Sequence, residues 1–152
     1  MLEAGTPAPD FSLRSTVGDP VTLESLKGSP ATLVFVPFAF TGVCEGEVCE
    51  IRDDLSMFES AGAKVFAITC DSSPTQKKWA AEQGLTFPLL ADFWPHGAAS
   101  TAFGVFNEQL GCANRATFVL DAEAMIVASF QSAGLGTPRS KADYEAALAK
   151  LT

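Results

Sequence analysis

The segment Pro37-Phe38-Ala39-Phe40-Thr41-Gly42-Val43-Cys44 carries the residue types best suited to chemistry in this chain. It follows Ala31–Phe38, a near-continuous apolar run that reads as a strand buried on both faces. It precedes Val48, Ile51, Leu55 and Phe58, which recur at helical spacing from about Val43 to Ser60. Cys44 is therefore expected in the first turn of a helix, where backbone N–H groups lack partners and the helix dipole favours negative charge. Both effects favour the thiolate, the nucleophilic form of the side chain. In an open α/β sheet, such a junction at a strand's carboxyl end is where ligands bind.

The chemistry this set suits is attack on a peroxide O–O bond. One oxygen bonds to sulfur while the other leaves with growing negative charge, so donors must meet that charge as it develops. The Thr41 hydroxyl, three residues before Cys44, can donate to one oxygen and accept from another. The Val43 and Cys44 N–H groups supply further donors. Pro37 shields the sulfur from water and, lacking an N–H, offers no competing donor. Arg115 stands in Asn-Arg-Ala-Thr-Phe-Val before a second apolar strand, and its guanidinium would both favour the thiolate and bind a peroxide oxygen. Phe38 and Phe40 could line the pocket. Blander roles exist for each residue: Cys44 as a small buried hydrophobe, Thr41 as a helix cap only, Arg115 as a surface ion-pair partner. None of these explains why the residues stand together.

The elements that must position them read as follows. Phe11–Leu13 and Val21–Leu23 form a small hairpin around a Gly-Asp-Pro turn. Lys64–Thr69 and Pro88–Ala91 are buried strands, and Pro74–Gln83 is a helix with Pro near its start and Gly84 at its end. His96–Phe103 is a short helix. Ala116–Leu120 and Ile126–Phe130 are antiparallel strands, and Lys141–Leu151 is a closing amphipathic helix. The alternation argues for an α/β fold with an antiparallel pair near the end. Residues 1–152 are expected to form one domain.

Composition bounds the partners. A formal net charge of −8 makes nucleic acid and anionic membrane surfaces poor partners, and no apolar stretch is long enough to span a bilayer. The segment MLEAGTPAPD has no basic region followed by an apolar run, so a cytoplasmic location is expected. Four cysteines at 44, 49, 70 and 112 show no CxxC spacing, and His96 is the sole histidine, which argues against a zinc site. Cys70, Cys112 and His96 are expected to be structural, and Trp79 to lie in the core.

The pattern PxxxTxxC is complete at Pro37, Thr41 and Cys44, and it resembles the signature of the peroxiredoxins. APDFSL, FPLLADFWPHG and FGVFNEQLGCANRATFVLD extend the resemblance along most of the chain, to the alkyl hydroperoxide reductase E-type group of actinobacteria. The resemblance implies a thioredoxin-like α/β fold, a central mixed sheet flanked by helices, and peroxidase activity towards hydrogen peroxide and organic hydroperoxides. It implies no cofactor and no metal, a thiol reductant and a homodimer. Cys44 would be the peroxidatic cysteine, cycling through sulfenic acid. Glu47 matches an acidic position of the group and would orient Arg115.

Cys49 departs from the E-type pattern. Its spacing from Cys44 is similar to that of Q-type peroxiredoxins, where a resolving cysteine follows in the same helix. Five helical residues rise about 7.5 Å, which puts the Cα atoms roughly 8–9 Å apart, beyond the disulfide limit of about 7 Å. A Cys44–Cys49 bond therefore requires the first helical turns to unwind. The reductant stays open on sequence grounds: E-type relatives imply mycothiol with mycoredoxin, and Q-type relatives imply thioredoxin. Two competing functions on the same scaffold, a thioredoxin-like disulfide oxidoreductase and a redox-linked chaperone module, fit Thr41 and Arg115 less well.

Overall fold

The structure is a computed structural model that describes residues 1–152. A seven-stranded sheet has the order β2-β1-β5-β4-β3-β8-β9. Its strands are β1 (Ser12–Ser15), β2 (Val21–Thr22), β3 (Ala31–Phe35), β4 (Lys64–Thr69), β5 (Leu89–Ala91), β8 (Ala116–Leu120) and β9 (Ile126–Gln131). A separate hairpin pairs β6 (Phe106–Asn107) with β7 (Cys112–Ala113). The helices are α1 (Leu23–Leu26), α2 (Gly42–Asp53), α3 (Leu55–Ser60), α4 (Ser73–Gln83), α5 (Ala98–Ala102) and α6 (Lys141–Leu148), followed by a 3-10 turn at Ala149–Leu151. No helix is long and apolar enough to cross a membrane.

β3 runs parallel to β4 and antiparallel to β8, and this register positions the site. Its side chains alternate between two cores, as strand geometry requires. Leu33 and Phe35 join Phe11, Phe103 and Phe118 on one face, while Val34 and Val36 join Val48, Phe58 and Trp79 on the other. The Phe103 and Phe118 ring centroids lie 4.8 Å apart, with Phe35 at 5.4 and 5.7 Å from the pair. Burial on both faces explains the unbroken apolar run.

Several expected boundaries moved. The strand expected over Ala31–Phe38 stops at Phe35, with one more ladder bond from Val36 N–H to Ile68 O at 2.9 Å. Pro37 has no N–H to continue the ladder, and the chain turns away. The helix expected over Val43–Ser60 is two helices, broken at Asp54. Asp53 and Asp54 put two carboxylates at the negative end of the α2 dipole, which disfavours continuation. The hairpin second strand ends at Thr22, because Thr22 caps α1 instead: its hydroxyl accepts from Ser25 N–H at 3.0 Å, and the Ser25 hydroxyl accepts from Thr22 N–H at 2.9 Å. The helix expected from His96 begins only at Ala98, after Gly97 in the left-handed region at φ 70°. The closing helix tightens into its 3-10 turn after Leu148. The β6–β7 hairpin has no counterpart in the sequence reading.

Candidate active site

The β3–α2 connection delivers Cys44 to the third position of α2. The first backbone bond of that helix runs from Glu45 N–H to Thr41 O at 2.8 Å, so the Gly42, Val43 and Cys44 N–H groups have no helix partner. Cys44 is completely buried. Its sulfur accepts a hydrogen bond from Arg115 Nη2 at 3.1 Å. Arg115, buried just before β8, also donates through Nη1 to Glu47 Oε1 at 2.7 Å and through Nε to Leu135 O at 2.6 Å. Antiparallel pairing of β8 with β3 brings this arginine beside the start of α2. Glu47 stands three residues after Cys44, on the same face of the helix.

A second arginine completes the arrangement. Arg139 lies in the segment between β9 and α6 and is buried. Its backbone N–H and Nε donate to Glu47 Oε2 at 2.7 and 2.9 Å, and its Nη2 donates to Glu47 Oε1 at 2.8 Å. Its Nη1 donates to Phe35 O and Ala116 O, each at 2.8 Å, stitching the ends of β3 and β8. Burial alone would raise the Glu47 carboxyl. The hydrogen bonds and charge of Arg139, with the hydrogen bond of Arg115, outweigh that and hold it below its ordinary value of 4.5. The buried cluster thus holds two guanidiniums, one carboxylate and one sulfur.

Comparisons with known proteins place the chain in a family and a fold. A family model described as AhpC/TSA matches residues 4–129. The chain belongs to the AhpC/TSA family. Alkyl hydroperoxide reductase E of Mycobacterium tuberculosis is 52% identical over 127 residues, 83% of each chain. Among solved structures, AhpC of Enterococcus faecalis is similar at a TM-score of 0.88 and 25% identity, covering 98% of this chain and 92% of its own. Peroxidoxin BcpB of Mycobacterium tuberculosis is similar at a TM-score of 0.84 and 30% identity, covering 99% of this chain and 97% of its own. The thioredoxin-like peroxiredoxin fold expected from the signature is the fold observed. Family membership makes the chain a thiol-dependent peroxidase.

In this AhpC/TSA chain the other candidate residues fall as follows. Pro37 is buried beside the site loop, and Val43 is half-buried. Phe38 and Phe40 are exposed at 37% and 45%, on the outer side of the loop. Phe40 takes a left-handed backbone at φ 63°, and its ring centroid lies 6.3 Å from that of Trp79. Thr41 is the cap residue of α2 by position, yet its side chain bonds no helix N–H. Its hydroxyl donates to Phe38 O at 2.9 Å, so its one proton is committed. The sequence reading gave Thr41 both donor and acceptor roles; in this geometry only its acceptor lone pairs remain free.

Cys49 is half-buried on an intact α2, with its sulfur donating to Gln83 Oε1 at 3.3 Å. Cys70 and Cys112 are buried away from solvent. Burial, reinforced by the nearby Asp92 carboxylate, pushes the Cys70 thiol up to about 12. Burial, and then the proximity of Cys44, raises the Cys112 thiol. His96 Nε2–H donates to Gly111 O at 2.7 Å, and the ring packs edge-on to Phe93 and Phe106. The sequence reading missed Arg139. It stands in Thr-Pro-Arg-Ser just before a helix, a context that looks like surface punctuation. Only its contact with Glu47 marks it.

Proposed function

We propose that Cys44 reduces hydrogen peroxide and organic hydroperoxides, with Arg115 and Thr41 binding the peroxide. The observation that carries this reading is the 3.1 Å contact between Arg115 Nη2 and the Cys44 sulfur, at a helix start with free N–H groups. Two buried cations face one carboxylate, and a Cys44 thiolate supplies the balancing charge that a buried cluster requires. The thiolate attacks one peroxide oxygen. An S–O bond forms, the O–O bond breaks, and the departing oxygen takes the electron pair and then a proton from water. Sulfur is oxidised to sulfenic acid, and the peroxide is reduced to water or an alcohol. Arg115 and the Val43 and Cys44 N–H groups stabilise the developing charge. Thr41 Oγ1 accepts a hydrogen bond from the peroxide O–H, whose proton stays on the oxygen that bonds to sulfur. Pro37 excludes water, Glu47 orients Arg115, and Phe38 and Phe40 flank the approach.

Cys49 is the proposed resolving cysteine. Once the first turns of α2 unwind, its thiolate attacks the Cys44 sulfur; an S–S bond forms, the S–O bond breaks, and the departing hydroxide takes a proton from solvent to become water. Mycothiol with mycoredoxin, or thioredoxin, then supplies two electrons. On this reading residues 1–152 work as one domain, as a homodimer, in the cytoplasm. Peroxide consumption measured with each donor, on wild type, Cys44→Ser and Cys49→Ser, tests the chemistry. Cys44→Ser is expected to be inactive with every donor, and Cys49→Ser to lose thioredoxin-dependent turnover. Full turnover by Cys44→Ser would overturn the assignment. A Cys44 sulfenic acid that persists in wild type after one equivalent of peroxide, with no internal disulfide by mass spectrometry, would remove Cys49 from the cycle.

A further inference from the structure

The loop from Pro37 to Thr41 carries half of the site, yet apart from the start of α2 itself one hydrogen bond ties it to the rest of the chain. Ala39 N–H donates to Asp71 Oδ2 at 2.8 Å, across 32 positions of chain. Asp71 follows the end of β4, and its own N–H donates to Thr69 Oγ1 at 3.2 Å. That buried hydroxyl also accepts from Gln76 Nε2 at 2.9 Å, and the same Gln76 nitrogen donates to Leu90 O at 2.8 Å. Asp71 therefore rests on a buried chain joining β4, α4 and β5. The loop it holds contains Phe40 at φ 63°, a conformation that a residue with a β-carbon keeps only under constraint. The aromatic contact with Trp79, the burial of Ala39 in the core and the Asp71 bond constrain this turn from outside, and only the last is a hydrogen bond.

Two steps of the cycle make opposite demands on this loop. Reaction with peroxide needs it closed, because Thr41 and the first α2 N–H groups must stand over the sulfur. Reaction of the oxidised sulfur with any thiol needs it open, because Cys44 is completely buried. We infer that Asp71 is a positioning residue that latches this loop, favouring the closed form that meets peroxide and opposing the open form that meets a thiol. The inference rests on the peroxidase reading but not on which thiol resolves Cys44. A carboxylate oxygen accepting a backbone N–H is a strong, short latch, and its loss shifts the balance towards opening.

The test separates the two steps in a Cys49→Ser background. Rapid-quench mass spectrometry follows Cys44 oxidation by hydrogen peroxide. Loss of the visible absorbance of 5-thio-2-nitrobenzoate follows attack of that thiolate on preformed Cys44 sulfenic acid. Asp71→Ala is expected to slow the first step about tenfold and to speed the second by about as much. Asp71→Asn keeps an oxygen within reach of Ala39 N–H and is expected to stay within about threefold of the parent in both steps. Asp71→Ser, which keeps a polar group but not the reach, serves if the alanine variant does not fold. Rates that fall together, or a peroxide step unchanged in Asp71→Ala, would overturn the latch. Failure of the parent itself to react with peroxide would instead sink the peroxidase reading.

Discussion

Glu47 holds two guanidiniums at once, and neither can be left alone. Replacing it with Gln removes the only carboxylate facing Arg115 and Arg139 inside the protein. An uncompensated buried charge of that kind costs about 3–5 kcal/mol. The pH dependence follows from the direction of the shift. The folded carboxyl titrates below its ordinary 4.5, so its contribution is complete above that value and is lost as pH falls through the folded one. Urea midpoints of wild type and Glu47→Gln are expected to differ widely at neutral pH and to converge well below pH 4.5. A gap that stays constant with pH would mean that the carboxylate charge is not what stabilises the cluster. Arg115 acts at the same scale. Arg115→Lys keeps a charge but loses the fork that spans Cys44 Sγ, Glu47 and Leu135 O. The rate constant with peroxide is expected to fall roughly a hundredfold in Arg115→Lys, read by the same oxidation assay.

Among the elements, α2 and the strands beside it carry the site. α2 is anchored to α4 at three points: Trp79 Nε1 donates to Glu45 Oε1 at 3.2 Å, Cys49 Sγ to Gln83 Oε1 at 3.3 Å, and Arg52 Nη1 to Gln83 O at the far end. β3 and β8 form its floor, and their apolar side chains set how firmly Arg115 is held in register. Phe118 is fully buried in β8 against Phe35 and Phe103. Truncating it as Phe118→Ala opens a cavity and costs about 3–5 kcal/mol. A lower urea midpoint with an unchanged slope is the expected result. At this scale most of the fold was legible before the structure. Lys64–Thr69 and Ala116–Leu120 match the observed strands end to end, because a run of five consecutive buried residues in each leaves a strong local signal. The ends of β3 and α2 were not legible. They depend on where a ladder partner runs out and where a dipole meets two aspartates.

The whole molecule decides which thiols are chemically available. Cys70 and Cys112 sit inside the packed layers, and burial raises both above their ordinary 9.0. Iodoacetamide at neutral pH is expected to leave both unlabelled in the native protein and to label both in urea, as read by peptide mass spectrometry. The raised Cys70 thiol also gives an alkaline signature. Its contribution to stability is complete below the ordinary 9.0 and is lost as pH rises towards about 12. By itself the sequence determined that a cysteine would stand at a helix start after a buried strand, with Pro37 and Thr41 around it. Those relations are local, and periodicity encodes them. It pointed to Arg115 and Glu47 as partners of the sulfur, but it gave no sign of Arg139 or Asp71, and no distances. Arg115 reaches Cys44 across 71 positions, Arg139 reaches Glu47 across 92, and Asp71 reaches Ala39 across 32. Such pairings depend on strand order and on the path of the segment after β9. Arg139, buried by tertiary packing, looks in sequence like any surface arginine before a helix.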